Sequence, residues 1–217
     1  MTRTDLCRDV SRETSWAIRP LIFCGPSGGH RAFSWALRRL LASVAEDEHV
    51  LVLLEILTVL LVAVAMGLAL AHALELPGKL RLSRDTYLQV QHIYYPGFTV
   101  GGAVGELGGL IALLLLLLVN PILSDGRFWL TLAAFLALAA MHAVYWLLTH
   151  PVNNFWLKDF ELKGAAGRFF RAGRLMRHDG SGAPEWTDLR DQWEYSHVIR
   201  AALGLLSLVL ITWAVAV

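Results

Sequence analysis

Four long apolar runs constrain this chain more than any other feature of its sequence. They are Val50–Leu76, Gly97–Val119, Phe128–Thr149 and His197–Val217. Each is close to the roughly 20 residues that a helix needs to cross the hydrocarbon core of a bilayer. In that environment a helix satisfies its backbone hydrogen bonds within one segment. The sequence therefore predicts an all-α, polytopic membrane protein built as a four-helix bundle, with the lipid bilayer as its first partner.

The polar segments around these runs predict two helices on the membrane surface. Residues 1–49 form an N-terminal extension to a transmembrane domain of residues 50–217, and 30–45 carries its apolar side chains on one side. The third loop repeats this amphipathic pattern between residues 155 and 177. Such helices lie in the plane of the interface, although docking on the protein's own surface explains the pattern equally well. Arginines interleaved with apolar side chains favour lipid headgroups, so we expect no nucleic-acid partner.

The charges near the spans predict the orientation in the membrane, and the cysteines argue against one class of enzyme. Lysines and arginines near the spans are more numerous beside loops one and three than on the other side. The positive-inside rule places these loops in the cytoplasm, and we expect a bacterial inner membrane. Cys7 and Cys24 lie outside the spans and form no Cys-x-x-Cys pair, which argues against a thiol–disulfide oxidoreductase.

The second span carries a carboxylate at mid-bilayer depth. Gly101, Gly105 and Gly109 form a small-residue face that lets another helix approach closely, and Glu106 lies beside it. A charged carboxylate there costs about 2.5–3.5 kcal/mol even on a lenient insertion scale. Glu106 is therefore a candidate functional residue, with a protonated, hydrogen-bonded structural group as the alternative.

Two further sets of polar residues recur at helical spacing. Glu194, His197 and Arg200 are three residues apart, as are His72 and Glu75, so each set lies on one helix face. Carboxylate and imidazole at this spacing hold metals in four-helix bundles. The other explanation is a buried polar contact between helices.

Antiparallel spans bring these residues to one side of the membrane. The end of span one, the start of span two, the end of span three and the start of span four all share that side. Glu106 and His142 lie deeper and open toward the same half. Ionisable residues inside a membrane are functional candidates by default. The predicted cluster also contains His72, Glu75, His92, His150, Asn153, Arg190, Glu194 and His197.

Two motifs in the second half of the chain resemble the anthrone oxygenase-like family of small four-helix membrane proteins. They are His-Pro-Val-Asn at 150–153 and Trp-Glu-x-x-His-x-x-Arg at 193–200, the latter preceded by Trp-x-x-Leu-Arg. The resemblance covers about residues 50–217. It implies oxidation of anthrones to anthraquinones with oxygen, although most members have no assigned substrate. By motif position it assigns functional roles to Asn153, Trp193, Glu194, His197 and Arg200.

The first functional hypothesis is a membrane oxidoreductase or oxygenase for an apolar aromatic or quinone-like substrate. A phenolic carbon acid needs only a base before it reacts with oxygen. The candidate catalytic residues are Glu106, His142, His197 and Arg190; those contacting a cofactor or substrate are His92, Asn153, Trp193 and Arg200. Iron or copper would suit a metal set of His72, Glu75, Glu106, His142, Glu194 and His197, although the chemistry also proceeds without a cofactor.

The second hypothesis is a non-catalytic subunit of a larger membrane complex, or a homo-oligomer. Such a subunit would hold haem or quinone between His72 and His197 on different spans. Glu75 and Glu194 beside these histidines suit haem poorly. The third possibility is that the cluster consists of ordinary polar contacts between helices.

Overall fold

The computed structural model describes residues 47–120, 125–156 and 185–217, with a few isolated positions between 35 and 44. The chain divides into two compact units, Met1–Leu40 and Leu41–Val217, and the second carries every helix considered below. The surface helices predicted at 30–45 and 155–177 lie largely outside the described residues. The boundary predicted between residues 49 and 50 remains a prediction.

The described residues of the second unit are almost entirely helical. In chain order the elements are α1 (Glu48–Lys79), α2 (Arg84–Tyr94), α3 (Gly97–Val119), α4 (Gly126–Val144), a π-helical turn (Tyr145–Thr149), α5 (His150–Trp156) and α6 (Trp186–Ala216). The segments long and apolar enough to cross a membrane are Glu48–Lys79, Gly97–Val119, Gly126–Asn153 and Trp186–Ala216. The predicted fold class, an all-α membrane helical bundle, is confirmed.

Polar side chains cap the starts of α1, α2 and α4. Asp47 accepts hydrogen bonds from the backbone N–H groups of His49 and Val50 at the start of α1. Ser83 and Asp125 accept equivalent bonds at the starts of α2 and α4. Such caps satisfy donors that have no partner within the helix. The loop after α1 is therefore short and fixed, which places α2 beside the mouth of the bundle.

The first helix extends three residues beyond the predicted limit at Leu76. It runs through Pro77 and ends at Lys79. The Leu80 N–H bonds to the Leu76 carbonyl, and the Arg81 side chain donates to the Pro77 carbonyl. These bonds satisfy carbonyls at the end of the helix. The additional turn carries Lys79 into the interior of the protein.

The small-residue face of α3 lets another helix approach closely, as predicted, and that helix is α1. A Cβ atom at Gly105 would lie 2.7 Å from the backbone nitrogen of Ala65 and 3.1 Å from the carbonyl oxygen of Leu61. Only a residue without a side chain permits this approach of two backbones. One turn further along α3, Gly109 faces Leu138 of α4. The close approach of α1 and α3 places His72 and Glu106 around one space.

Substituting Gly105 by alanine is expected to lower the free energy of unfolding by about 1–3 kcal/mol, because overpacking forces backbone shifts. Gly102→Ala is the matched control, since a Cβ atom there meets nothing within 4 Å. Equilibrium unfolding with SDS in mixed micelles measures both variants. Equal stability of the two would contradict the packing at Gly105.

Arg127 ties three helices together at the end of the bundle opposite the predicted cluster. Its guanidinium lies 2.8 Å from the Glu55 carboxylate of α1 and also donates to the Ala214 carbonyl near the end of α6. The start of α4 thus meets the first turns of α1 and the last turn of α6. This contact fixes the antiparallel order that brings the other ends of the spans together.

Candidate functional site in a membrane-facing cavity

A cavity of about 440 Å³ lies among α1, α3, α4 and α6 in the half of the bundle where the polar residues converge. Its rim includes Val100, Val104 and Leu107 of α3 and Trp146 of the π-helical turn, which are 45–59% exposed. These residues belong to segments of membrane-spanning length and composition. The mouth therefore opens through the apolar surface of the bundle, where lipid would surround it.

Lys79 organises the polar residues on the α1 side of this cavity. Its side chain is only 4% exposed, and its ammonium has three acceptors at hydrogen-bonding distance. Its Nζ atom lies 3.0 Å from Glu75 Oε2, 3.4 Å from Glu194 Oε1 and 3.3 Å from His72 Nδ1. An ammonium has three donors and no acceptor, so these contacts use its full capacity.

The contact with Lys79 fixes the tautomer of His72. Because the ammonium only donates, Nδ1 of His72 accepts and the proton of the neutral ring is on Nε2. The ring itself is held by edge-on contacts with Tyr94 and His197 and by Phe98, with centroid distances of 4.5, 4.3 and 4.7 Å. His72 thus presents a fixed N–H donor at Nε2.

His197 has the opposite tautomer. Its Nδ1 atom lies 2.8 Å from the backbone carbonyl of Trp193, which can only accept, so Nδ1 carries the proton. The Nε2 atom of the neutral ring then has a lone pair. His197 is 4% exposed and its ring packs on that of Trp193 at 4.1 Å. It is the residue of this cavity best placed to act as a base.

Glu106 of α3 forms hydrogen bonds to α4 and to α6, in the same cavity as His72 and His197. Its Oε1 atom accepts from Arg200, and its Oε2 atom accepts from His142 Nδ1 at 3.1 Å. The indole of Trp146 donates to His142 Nε2 at 2.9 Å, which places the proton of the neutral ring on Nδ1. Both oxygens of the Glu106 carboxyl group therefore have hydrogen-bond partners, and one of these partners is the Arg200 guanidinium.

Arg200 lines the cavity next to Glu106. The residue is 7% exposed and lines the cavity, and its Nη2 atom bonds to Glu106. Among the described residues its Nε atom has no hydrogen-bond partner although it is fully enclosed. An unsatisfied buried donor is unusual in native structures and requires a reason such as function. The guanidinium provides positive charge beside an apolar space.

The helix irregularity before Pro151 positions Asn153. Proline lacks an N–H and disturbs the preceding turn, which is π-helical here. The Gln192 side chain donates to the Leu148 carbonyl in this turn at 3.0 Å. Asn153 then accepts from the Trp193 indole at 2.7 Å and from the Tyr95 hydroxyl at 2.9 Å. The amide fixes the Trp193 ring on which His197 packs.

Two tyrosines of α2 donate hydrogen bonds to the carboxylates beside Lys79. We call Lys79 and its partners His72, Glu75 and Glu194 the Lys79 network. The Tyr87 hydroxyl donates to Glu194 Oε1 at 2.8 Å, and the Tyr94 hydroxyl donates to Glu75 Oε2 at 2.5 Å. Burial and the neighbouring carboxylates raise the pKa of both phenols far above the usual value. Both hydroxyls therefore keep their protons and remain donors. Each carboxylate beside Lys79 thus has a second partner.

Tyr87→Phe is expected to lower the free energy of unfolding by about 1–3 kcal/mol, because it leaves the fully buried Glu194 with one donor fewer. Tyr195→Phe is the control, since Tyr195 is 53% exposed. Thermal unfolding in detergent measures both. A Tyr87→Phe variant as stable as the control would contradict a role for this phenol in holding Glu194.

The structure brings most of the predicted site residues together. His72, Glu106, His142, Asn153, Trp193, His197 and Arg200 line the cavity. Glu75 and Glu194 lie beside it in the Lys79 network. His92 is exposed on α2, whereas Arg190 pairs with Asp191 and lies over Trp186; neither lines the cavity. His150 is buried against Tyr145 and Trp146.

The predicted site residues leave out several contributors, among them Lys79, Tyr87, Tyr94 and Trp146. Lys79 follows His72 by seven residues, two helical turns, so this spacing was the available signal. It was obscured because Pro77 suggested that the helix ends before Lys79. The tyrosines lie on one face of α2, whose docking over the bundle no sequence pattern predicts.

A metal at the predicted set of ligands stays a prediction. Among the described residues, no three His, Cys, Asp or Glu side chains are grouped so that they could hold an ion. Lys79 and Arg200 lie beside Glu75, Glu194 and Glu106 and supply positive charge there. The rings of His72 and His197 are in direct contact at 4.3 Å, so they do not flank a space for haem.

Comparison with protein-family models, with curated proteins and with solved structures finds no match to this chain. The resemblance to the anthrone oxygenase-like family therefore stays a prediction from the motifs at 150–153 and 193–200.

Proposed function

We propose that this protein is an integral membrane oxidoreductase of the oxygenase type, acting on an apolar aromatic or quinone-like molecule that enters from the lipid. The observation that carries the proposal is the cavity with an apolar mouth and an imidazole and a guanidinium inside. His197 supplies a neutral base, and Arg200 supplies a positive charge within the same space. A cavity of about this size suits a small organic ligand.

The substrate class follows from the walls of the cavity. Leu68, Phe98, Val104 and Leu107 provide apolar contact, and Trp193 and Tyr145 provide aromatic surfaces. A lipid-soluble molecule of two or three fused rings would gain about 25 cal/mol for each Å² of apolar surface removed from water. A mouth in the apolar surface admits such a molecule without passage through water.

The proposed chemistry is oxidation of an anthrone-like carbon acid by molecular oxygen. His197 Nε2 takes the proton of the enol hydroxyl, and Arg200 stabilises the enolate oxygen. The electron-rich carbon transfers an electron to oxygen and then forms a C–O bond. The resulting peroxide anion takes back the proton held by His197, which gives a hydroperoxide and restores the neutral base. Loss of water leaves a carbonyl, so that R₂CH₂ and O₂ become R₂C=O and H₂O. No step requires a metal.

The resemblance to the anthrone oxygenase-like family supports the same proposal. The motif residues Asn153, Trp193, His197 and Arg200 line the cavity, and Glu194 lies behind them. The distribution of basic residues supports a bacterial inner membrane with loops one and three in the cytoplasm. The cavity then lies in the cytoplasmic half of the bilayer.

The second candidate function is a binding subunit that holds a quinone without turnover. The same cavity favours it, because a quinone is flat, apolar and soluble in lipid. A subunit of this kind would operate with partner proteins or as a homo-oligomer, and its cavity would bind ligand without consuming oxygen.

Oxygen uptake separates the two functions. Purified protein in lipid nanodiscs is mixed with anthrone, and dissolved oxygen and anthraquinone are followed together. We expect oxygen and anthrone to disappear in a one-to-one ratio at a rate proportional to protein concentration. Uptake no faster than in empty nanodiscs would exclude the oxygenase for this substrate. Metal analysis of the same sample shows whether activity follows iron or copper content.

A further inference from the structure

We propose that His72 and His197 together recognise one hydroxyl group, so that the cavity prefers a hydroxylated aromatic ligand over its carbonyl form. The inference rests on the proposed function for the class of ligand. It adds which functional group is recognised and which oxidation state is bound. Its basis is the pair of opposite tautomers described above.

The two rings offer one donor and one acceptor to the same space. Neither Nε2 atom has a hydrogen-bond partner among the described residues, and neither is fully enclosed by protein. Both rings line the cavity, and recognition of a hydroxyl requires their Nε2 atoms to face it. His72 presents an N–H there because Lys79 occupies its Nδ1 atom, and His197 presents a lone pair because the Trp193 carbonyl occupies its Nδ1 atom.

A hydroxyl group matches this pair because it is both donor and acceptor. Its oxygen accepts from His72 Nε2–H while its proton is donated to His197 Nε2. A carbonyl or an ether oxygen accepts from His72 but offers nothing to His197. The lone pair of His197 is then left without a partner in an apolar space, which weakens binding about 10- to 100-fold.

The rings are held in place before any ligand arrives. His72 is fixed by Lys79 and by the rings of Tyr94 and Phe98. His197 is fixed by the Trp193 carbonyl and the Trp193 ring. Groups with fixed rotamers lose little conformational entropy when a ligand binds. Lys79 is therefore a positioning residue: it determines that His72 is a donor.

The pairing gives direction to the proposed reaction. The substrate enters as the hydroxylated tautomer, and oxidation converts the recognised group into a carbonyl. The product then lacks the proton that His197 accepts, so it binds more weakly and returns to the lipid. One pair of imidazoles thus accounts for both substrate selection and product release.

Binding under anaerobic conditions tests this inference without turnover. The probes are 1-naphthol and 1-methoxynaphthalene, which differ by one methyl group, and 1,4-naphthohydroquinone and 1,4-naphthoquinone, which differ in oxidation state. Isothermal titration into protein-containing nanodiscs gives each Kd, and empty nanodiscs correct for partition into lipid. We expect each hydroxylated member to bind about 10- to 100-fold more tightly than its partner.

Substitutions identify the atoms responsible. His197→Phe keeps the volume of the ring and removes the acceptor, so the preference for the hydroxyl should fall to about twofold or less. His49→Phe, an exposed histidine at the start of α1, should leave the preference unchanged. The unfolding midpoint of each variant shows whether the substitution has left the protein folded.

The outcomes separate this inference from the proposed function. A hydroxyl preference that depends on His197, without oxygen uptake, supports recognition and excludes oxygenase activity on anthrone. Oxygen uptake with equal affinity for the naphthol and its methyl ether overturns recognition and leaves the oxygenase. Failure of all four probes to bind would overturn the inference.

Discussion

Replacing Lys79 by methionine is expected to lower the free energy of unfolding by about 3–5 kcal/mol. The ammonium lies between two carboxylates, and Glu194 is completely buried. Removing one partner of a buried ion pair leaves an uncompensated charge, which destabilises far more than the loss of an exposed pair. Glu75, at 44% side-chain exposure, can turn toward water, so Glu194 accounts for most of the effect. Equilibrium unfolding in SDS mixed micelles provides the measurement.

A second substitution identifies the origin of this loss. Lys79→Met combined with Glu194→Gln removes the uncompensated charge and retains an acceptor for Tyr87, so it should recover about 1–3 kcal/mol. Arg84→Met is the matched control, because Arg84 is exposed at the start of α2 and should change stability by about 0.5 kcal/mol or less. Additive effects of Lys79→Met and Glu194→Gln would contradict the direct pairing of these residues.

The fold was predictable because its main determinant is local. A run of about 20 apolar residues has one way to satisfy its backbone in lipid, so the spans and the fold class followed from the sequence. The close approach at Gly105 also followed, because residues spaced by four share one helix face. The ends of helices were harder. Pro77 predicts the end of α1, but the contacts of Lys79 within the bundle favour one further helical turn.

For the candidate site, only the end of the bundle at which the residues gather could be predicted from the sequence. Antiparallel spans place His72, Glu106, Asn153 and His197 at one end, and this depends on topology alone. The contacts between side chains depend on the rotation of each helix about its axis and on the position of α2. Neither can be predicted from the pattern of a single sequence. His92 illustrates the limit. It lies one position after the buried Gln91, yet it is exposed, because adjacent residues on a helix point about 100° apart.

The metal hypothesis stays a prediction, and its ligands also suit another cation. Carboxylate and imidazole at three-residue spacing suit a metal ion, and the structure does bring His72 and Glu75 close to Glu194 and His197. The ammonium of Lys79 lies among them. The same donors that suit a metal also suit an ammonium, and the length of α1 beyond Pro77 brings this ammonium to them.

His197→Phe is expected to reduce kcat/KM for oxygen-dependent oxidation of anthrone by about 10²- to 10⁴-fold, the usual contribution of a general base. Phenylalanine preserves the contacts with Trp193 and His72, so the fold is retained while the base is removed. His92→Phe is the matched control, because His92 is exposed and does not line the cavity. Oxygen uptake in nanodiscs at saturating and at low anthrone concentration separates kcat from KM.

A structural role for His197 predicts a different pattern. If the ring served only as a polar contact between α1 and α6, His197→Phe would lower the unfolding midpoint and leave the activity of the folded fraction intact. His197→Ala removes the ring and leaves a space that imidazole added to the buffer can occupy. A base that acts on the substrate should then be restored in part, with a rate that rises with imidazole concentration. Activity that is unchanged in His197→Phe would exclude this residue as the base and point to the Glu106–His142 pair across the cavity.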